Sequence, residues 1–171
     1  MSRPWRVLAC AVVLSLAACR STPEAVEAPG SGFVGALALP SVGPRRLNPA
    51  ELTGQVVLVS FFATWCFPCL AEIPTLEALQ RDYGPRGFRV VAVGMDLEGA
   101  RVLAPFAEHY GLNYPVLLAD ERIISGRSVF GPIRELPTTV ILDREGRAVA
   151  AWHGVAGHED VSQQIEKALK R

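Results

Sequence analysis

The sequence predicts an α/β domain in which helices cover both faces of a mixed β-sheet. Two nearly unbroken apolar runs, at residues 56–62 and 88–93, are typical of strands that are buried on both faces. Between them, apolar residues recur at spacings of three and four, which indicates an amphipathic helix. Two further apolar runs near the C-terminus flank residues 143–146, whose sequence favours a hairpin turn. Strands that alternate with helices and then form a hairpin imply a mixed sheet with helices on both faces.

The elements can be ordered along the chain. Residues 33–39 and 45–47 are predicted to pair as an N-terminal β-hairpin across the proline-containing residues 40–44. The expected elements then follow as a strand at 56–62, a helix ending at Gly84, a strand at 88–93, a helix around 102–110, a strand at 115–118, a short helix at 123–130, strands at 138–142 and 148–152, and a final helix. An inserted helix and strand are also part of the expected fold.

Length and composition indicate one globular domain. The chain has 171 residues, of which 50% are hydrophobic and 20% are charged, a balance that excludes wholesale disorder. Basic and acidic residues number 17 each, so the chain lacks the positive charge of a dedicated nucleic-acid binder. The four cysteines are too few for a disulfide-stabilised miniprotein and indicate catalytic, metal or redox chemistry.

Residues 1–18 are typical of a secretory signal peptide. Arg3 and Arg6 precede an apolar stretch that is too short to span a hydrocarbon core of about 30 Å as a helix. The stretch ends in Leu-Ala-Ala followed by Cys19, which resembles a bacterial lipobox. We therefore expect cleavage before Cys19 and lipidation of its thiol. The alternative is an ordinary cleavage site that happens to precede a cysteine.

A tether is predicted to separate the lipidated residue from the folded domain. Residues 19–32 are rich in Pro, Gly and Ser and lack apolar periodicity, which indicates a flexible linker. Residues 33–171 are expected to form the domain. Cys10 would be removed with the signal peptide and Cys19 would carry lipid, so two cysteines would remain as free thiols.

Those two cysteines form the motif Cys66-Phe67-Pro68-Cys69, where a buried strand leads into a helix. Two intervening residues allow both sulfurs to meet across one helical turn, so the pair can close reversibly. Cys66 is expected at the helix N-terminus, where unpaired N–H groups and the helix dipole favour the thiolate that attacks disulfides. Cys69, one turn further along, is expected to be shielded and to act as the resolving thiol. The motif predicts a catalytic pair with Cys66 as the nucleophile.

The surrounding sequence resembles the TlpA/ResA branch of the thioredoxin superfamily. Trp65 and Pro68 complete a likeness to the superfamily's W-C-x-P-C motif, and residues 61–74 as a whole are more similar to that branch. The similarity extends from Leu52 to the C-terminus. It implies a thioredoxin-like three-layer fold, thiol-disulfide oxidoreductase activity, and supporting roles for Trp65 and Pro68 beside the cysteines.

A second match to the superfamily lies at Pro137, in Glu135-Leu136-Pro137-Thr138. The superfamily carries a cis-proline there, beside the active disulfide. The resemblance implies a cis bond that exposes the Leu136 backbone to an extended substrate, as in strand addition. Phe67, between the cysteines, is also expected to contact substrate. The alternative is a trans proline that merely begins a strand.

Glu72 matches a glutamate that is proposed to tune cysteine acidity in the ResA pattern. It lies on the neighbouring turn of the same helix face as Cys69. Cytoplasmic thioredoxins have an aspartate at the strand position occupied here by Ser60, and serine cannot transfer protons near neutral pH. Glu72 or water is therefore expected to take the proton from Cys69; the alternative is a solvated surface glutamate. Asp96 and Glu98 follow the second buried strand and are candidates for contact with a partner.

These expectations describe a membrane-tethered extracytoplasmic thiol-disulfide oxidoreductase whose only redox centre is the Cys66–Cys69 pair, with no metal or other cofactor. The dipeptide between the cysteines lacks the histidine of strong oxidants, so by analogy we expect a reductase of oxidised proteins, with cytochrome c maturation as one setting. A membrane carrier of the DsbD/CcdA type would supply electrons. We expect a lipid-anchored monomer in a bacterial cell envelope, facing the periplasm or the exterior, with no nucleic-acid partner.

Other functions remain open on the sequence alone. A disulfide oxidase or isomerase would use the same chemistry at another reduction potential. A thiol peroxidase is disfavoured because Ala63 stands where its P-x-x-x-T-x-x-C pattern requires threonine. A Cu(I) metallochaperone could use two thiolates, although the relatives of that class space them as C-x-x-x-C with a distant histidine. A purely structural lipoprotein would have no need of a thiol pair that opens a helix.

Overall fold

A six-stranded β-sheet flanked by helices organises the protein, as seen in a computed structural model that describes residues 31–171. The strands are Ser41–Val42 (β1), Val56–Phe62 (β2), Phe88–Gly94 (β3), Val116–Leu118 (β4), Thr138–Leu142 (β5) and Ala148–His153 (β6). The α-helices are Ser31–Gly35 (α1), Phe67–Tyr83 (α2), Ala100–Tyr110 (α3), Glu121–Ile124 (α4) and His158–Leu169 (α5). Short 3-10 helices cover Pro49–Leu52 and Gly84–Arg86.

The strand order across the sheet is β1-β4-β3-β2-β5-β6. β2 lies at the centre, parallel to β3 and antiparallel to β5, and all of its residues are buried. β4 runs parallel to β3, whereas β1 and β6 pair antiparallel with β4 and β5 at the two edges. The sheet is mixed, as predicted. Coverage of both faces explains the nearly unbroken apolar sequences of β2 and β3.

Helices α2, α3 and α5 contribute to one core on one face of the sheet. Leu79, Leu103 and Ile165, one from each helix, are fully buried and share this core with Leu58 of β2 and Val90 of β3. The right-handed rule for crossovers explains the placement of α2 and α3, because both connect neighbouring parallel strands that advance across the sheet in one direction.

The opposite face is covered by shorter segments. Phe130, which follows α4, makes edge-to-face contacts with Phe61 of β2 and Phe33 of α1, at ring-centroid distances of 5.0 and 5.2 Å. Leu37 and Ile123 are buried in the same core. Phe62 pairs with Gly94 in the β2–β3 register, so both strands end at the same edge of the sheet. Helix α2 begins at that edge, because it follows β2.

The predicted N-terminal β-hairpin is wrong. The segment begins with helix α1, and its only strand is β1, which pairs with β4 (Ser41 opposite Leu117) instead of with a neighbouring segment. The apolar residues that suggest a strand at residues 33–39 include Leu37 and Leu39, and both are buried against the sheet face. Burial against the sheet, without strand pairing, explains their hydrophobicity.

The inserted helix and strand are confirmed as α3 and β4, whereas the helix predicted at residues 123–130 is limited to α4. Gly126, with φ 72°, adopts the left-handed conformation that ends helices and favours glycine. The predicted signal peptide lies outside the described residues, as does the predicted tether except for its last two residues, which begin α1. Within residues 31–171, no helix is long and apolar enough to cross a membrane.

Candidate active site

The cysteine pair lies at the junction between β2 and α2. Cys66 is the residue immediately before the first helical residue of α2, and its sulfur accepts a hydrogen bond from the backbone N–H of Cys69 at 3.3 Å. The two cysteines are joined as a disulfide with a Cα–Cα distance of 5.3 Å. Pro68, in the first turn of α2, suits this position because the N–H that proline lacks has no partner there. The predicted helix-opening pair is therefore present.

The two cysteines are both nearly buried, with 5% of Cys66 and 4% of Cys69 exposed, but they line different cavities. Cys66 lines an open groove of about 640 Å³, whereas Cys69 lines a separate small cavity of about 10 Å³ on the interior side, together with Ser60 and Tyr114. That cavity is large enough for about one water molecule. Reduction of the disulfide would leave Cys66 at the groove and the N-terminus of α2, where a thiolate is favoured.

The groove beside Cys66 is predominantly apolar. Its rim carries two exposed aromatic side chains, Trp65 at 68% and Phe67 at 83% exposure. The apolar residues that line it are Trp65, Phe67, Pro68, Met95, Ile133 and Leu136. Arg134 is the one charged lining side chain among the described residues. Exposed aromatic residues around a reactive pair are typical of a surface that receives another apolar chain.

Hydrogen bonds from Thr138 and Gly154 hold residues 135–137, the segment that forms the far wall of the groove. The Thr138 hydroxyl donates to the Glu135 carbonyl at 2.6 Å and lies 2.8 Å from Nδ1 of His153. A hydroxyl has one proton, so Nδ1 of His153 must be the donor in the second bond. The N–H of Gly154 also donates to the Pro137 carbonyl at 2.8 Å. The end of β6 thus positions residues 135–137.

The Leu136–Pro137 bond is cis, as the resemblance implies. Within residues 31–171, the backbone N–H and C=O of Leu136 form no hydrogen bond to other protein groups. Leu136 also lines the groove. Its backbone groups are therefore available to an extended segment that lies along the groove.

Glu72 is a buried residue of α2, with 2% of its surface exposed. Burial raises the pKa of its carboxyl to about 7, opposed by a hydrogen bond from the backbone of Ala156. Its Oε2 has no hydrogen-bond partner among the described residues. The alternative that Glu72 is a solvated surface residue is wrong. A carboxyl with this pKa can hold or release a proton near neutral pH.

Asp96 has a role that the sequence did not indicate. It is only 5% exposed, and its carboxylate accepts hydrogen bonds from the Thr64 backbone N–H at 3.2 and 3.1 Å and from the Thr64 hydroxyl at 2.5 Å. Asp96 is therefore unavailable to a partner, in contrast to the expectation, whereas Glu98 is exposed. Asp96 positions the loop that leads into Trp65 and Cys66.

The structure gathers most of the predicted site residues in one place. Trp65, Cys66, Phe67, Pro68 and Leu136 line the groove, with Cys69 and Pro137 joined to them by the disulfide and by the chain. Glu72 is buried and does not line the groove, and Cys19 lies outside the described residues. No cluster of three or more metal-ligating side chains occurs within residues 31–171.

Several site residues have no motif of their own in the sequence, and Asp96 is the one among them that the sequence offers as a candidate, for contact with a partner. These residues reach the site from separate parts of the fold: Met95, Asp96, Ile133, Arg134, Thr138 and His153. The position of Met95 and Asp96 directly after a predicted buried strand is the one local clue, because carboxyl ends of parallel strands commonly carry functional residues.

Comparison with known proteins agrees with this site. The sequence model of the AhpC/TSA family matches residues 36–151. The thiol-disulfide oxidoreductase ResA of Bacillus anthracis is 31% identical over 127 residues, which cover 74% of this chain and 69% of that protein. The thioredoxin-like protein YneN of Bacillus subtilis is 29% identical over 130 residues, which cover 75% of this chain and 74% of that protein.

Solved structures show the same fold. A thioredoxin family thiol:disulfide interchange protein from Chlorobium tepidum superposes with a TM-score of 0.63 at 29% identity, covering 77% of this chain and 94% of that chain. A secreted thiol-disulfide isomerase from Corynebacterium glutamicum gives a TM-score of 0.63 at 25% identity, with coverage of 78% and 86%. The chain therefore belongs to the AhpC/TSA family, has a thioredoxin-like fold, and is a thiol-disulfide oxidoreductase similar to ResA with a C-x-x-C pair at Cys66 and Cys69.

Proposed function

We propose that the protein is a reductase of oxidised extracytoplasmic proteins, tethered to a membrane of the bacterial cell envelope through lipid on Cys19. One observation carries the disulfide-exchange chemistry: Cys66 lies both at the N-terminus of α2 and on an open apolar groove, whereas Cys69 lines a small interior cavity. An attacking sulfur needs access and a stabilised negative charge, and a resolving sulfur needs protection from other disulfides.

The proposed reaction transfers two electrons from the reduced cysteine pair to a substrate disulfide. The Cys66 thiolate attacks one substrate sulfur, which forms a mixed disulfide and releases the other substrate sulfur as a thiolate that takes up a proton. The Cys69 thiolate then attacks the Cys66 sulfur, which closes the protein disulfide and releases the second substrate thiolate. A membrane dithiol carrier of the DsbD/CcdA type would return the protein to its reduced form, and the cysteine pair is the only redox centre that this reaction needs.

Glu72 is the proposed acceptor of the Cys69 proton in the second step. The hydroxyl of Ser60 cannot act as a base near neutral pH, whereas the buried carboxyl of Glu72 has a pKa of about 7. In Glu72→Gln, titration of the cysteine pair, followed by the pH dependence of alkylation by iodoacetamide, is expected to shift. An unchanged titration would remove Glu72 from the mechanism.

The direction of electron flow is tested by the reduction potential. The Phe67-Pro68 dipeptide lacks the histidine of strong oxidants, so we expect a potential nearer to about −270 mV, as in thioredoxin, than to about −120 mV, as in a strong periplasmic oxidant. Equilibration of the full chain with glutathione buffers measures it. A potential near −120 mV would contradict the reductase and favour an oxidase.

An isomerase is a second candidate, because the structural relative from Corynebacterium glutamicum is described as a thiol-disulfide isomerase. The full chain is expected to reduce insulin disulfides faster than it restores activity to a protein with scrambled disulfides. The reverse ranking would favour the isomerase.

In the same preparation, stoichiometric Cu(I) binding without reduction of insulin disulfides would favour the Cu(I) metallochaperone.

The membrane tether and the substrate need separate experiments. Cys19→Ser is expected to move the protein from the membrane fraction to the soluble fraction of the native cells, and unchanged membrane association would contradict lipidation of Cys19. Cys69→Ala is expected to accumulate a mixed disulfide through Cys66, because the resolving thiol is missing. Mass spectrometry of the trapped protein would distinguish an apocytochrome c from a copper-site protein or a general pool of oxidised proteins.

A further inference from the structure

We propose that Arg134 makes the groove beside Cys66 prefer substrate segments in which an acidic side chain flanks the cysteine. That such segments are extended and apolar follows from the groove already described. The inference deepens the proposed function, on which it rests, by naming the chemical class of the substrate. It concerns the recognition of the substrate and leaves the disulfide exchange itself unchanged.

The apolar part of the preference follows from the exposed rim of the groove. Trp65 and Phe67 are 68% and 83% exposed on either side of Cys66. Met95 and Ile133 continue the apolar lining on the far side. Burying these side chains is favourable only against another apolar surface. Apolar residues next to a disulfide are accessible in unfolded or partly folded chains and buried in folded ones.

The extended conformation follows from the backbone on the far wall. The N–H and C=O of Leu136 have no hydrogen-bond partner among the described residues. They lie on a segment held by the bonds that Thr138 and Gly154 make to it. A strand-like segment can pair with fixed backbone groups of this kind, whereas a folded substrate would have to unfold locally.

The charge preference follows from Arg134. Arg134 is the only charged residue that lines the groove in the described part of the chain, its side chain is exposed, and none of the ion pairs found within residues 31–171 includes it. By contrast, Arg122 and Arg127, which line another cavity, are each paired with a carboxylate. An arginine without an ion-pair partner, in the groove that Cys66 also lines, attracts a carboxylate of the substrate and repels an ammonium group.

The test compares two synthetic peptides of equal length, each with two cysteines closed into one disulfide and flanked by apolar residues. One peptide carries glutamates on both flanks of the cysteines, and the other carries lysines at the same positions. The reduced full chain, purified in detergent, is mixed with each peptide, and the second-order rate is followed by tryptophan fluorescence. Neutral 2-hydroxyethyl disulfide is a small substrate whose rate of reduction reports the reactivity of the cysteine pair alone.

The wild-type chain is expected to reduce the acidic peptide about fivefold faster than the basic one at low salt, the size of a single exposed ion pair of about 1 kcal/mol. At about 1 M salt the difference is expected to disappear, because screening is nearly complete at that ionic strength. Arg134→Gln should abolish the preference, and Arg134→Glu should reverse it. Arg127→Gln, a surface arginine outside the groove, should retain it.

Two results would overturn the inference, provided that 2-hydroxyethyl disulfide is still reduced. One is equal rates for the two peptides with the wild-type chain. The other is a preference for the acidic peptide that survives in Arg134→Glu. Failure of the wild-type chain to reduce 2-hydroxyethyl disulfide would instead contradict the proposed reductase itself. The two failures are therefore distinguishable.

Discussion

The carboxylate of Asp96, at the end of β3, accepts three hydrogen bonds from the backbone N–H and the hydroxyl of Thr64, at the end of β2. Thr64 lies two residues before Cys66. The bonds therefore link the carboxyl ends of two parallel strands and hold the loop from which the nucleophile projects. A buried carboxylate that accepts from both donors of Thr64 is a positional restraint, because moving the loop would leave the carboxylate without these hydrogen bonds.

Replacement of Asp96 by alanine is expected to reduce both stability and rate. The partly buried N–H and hydroxyl of Thr64 would lose their acceptor, which lowers the free energy of unfolding by about 1–3 kcal/mol. Urea denaturation of the oxidised protein measures this change, and the rate with 2-hydroxyethyl disulfide measures the effect on Cys66. Glu98→Ala, at the exposed carboxylate two residues later, serves as control. Equal effects of the two substitutions would contradict the positioning role of Asp96.

The stability of the folded protein is expected to depend on pH through Glu72. Its pKa is raised from 4.5 to about 7 in the folded state, so the folded protein holds a proton that the unfolded chain has released between these values. The free energy of unfolding should therefore fall as pH rises through this window. Above it, Glu72→Gln is expected to be more stable than wild type by up to about 3 kcal/mol. Urea denaturation at a series of pH values measures the effect.

A matched control for Glu72 lies on the same helix. Glu77 is partly exposed, so Glu77→Gln removes a carboxyl from α2 without altering the buried one and serves as the control variant for the pH series. A slope that persists unchanged in Glu72→Gln would mean that the carboxyl does not titrate in this range.

Thr138 and Thr139 are neighbouring buried threonines with opposite hydrogen-bonding states. The Thr138 hydroxyl bridges Glu135 and His153, whereas Oγ1 of Thr139 has no partner among the described residues. Thr138→Val is expected to raise KM for a peptide disulfide about fivefold, because residues 135–137 lose one hydrogen bond that contributes about 1 kcal/mol. The kcat value should change little, because the cysteines are untouched.

Thr139→Val provides the comparison for that experiment. It removes an unpaired buried hydroxyl, so its effect on stability should be neutral or favourable and KM should stay near the wild-type value. If Thr138→Val left KM unchanged, or if both variants raised it equally, the proposed positioning of the groove wall by Thr138 would be wrong.

Gly94, the last residue of β3, packs directly against α3. A Cβ at this position would lie 2.4 Å from both terminal methyl groups of Leu103, which is fully buried, so the Leu103 side chain would have to shift within the core. Gly94→Ala is therefore expected to lower the free energy of unfolding by about 1–3 kcal/mol. Gly35→Ala, where a Cβ meets nothing within 4 Å, should be neutral or slightly stabilising. Chemical denaturation of both variants checks the difference.

Helices and strands of this fold can be predicted from the sequence where a local pattern of residues has only one physical explanation. The apolar run of β2 can be placed by sequence because coverage on both faces leaves almost no polar position within it. The extent of α2 is predictable because Cys66 precedes it and Gly84 and Pro85 follow it. The N-terminal segment was not predictable in this way. Its apolar residues pack on the sheet without pairing, and hydrophobicity alone does not distinguish packing from pairing.

The chemistry of the site was determined by the sequence, because the reactivity of a C-x-x-C pair at a helix N-terminus depends on a short continuous segment. Cys66 and Cys69 need only each other and the first turn of α2. The surroundings were decided by the tertiary structure. Asp96 reaches Thr64 across 32 positions of the chain and His153 reaches Thr138 across 15, and Arg134 enters the groove from a loop with no motif of its own. Such contacts depend on strand order and register, and a single sequence contains no local signal for either.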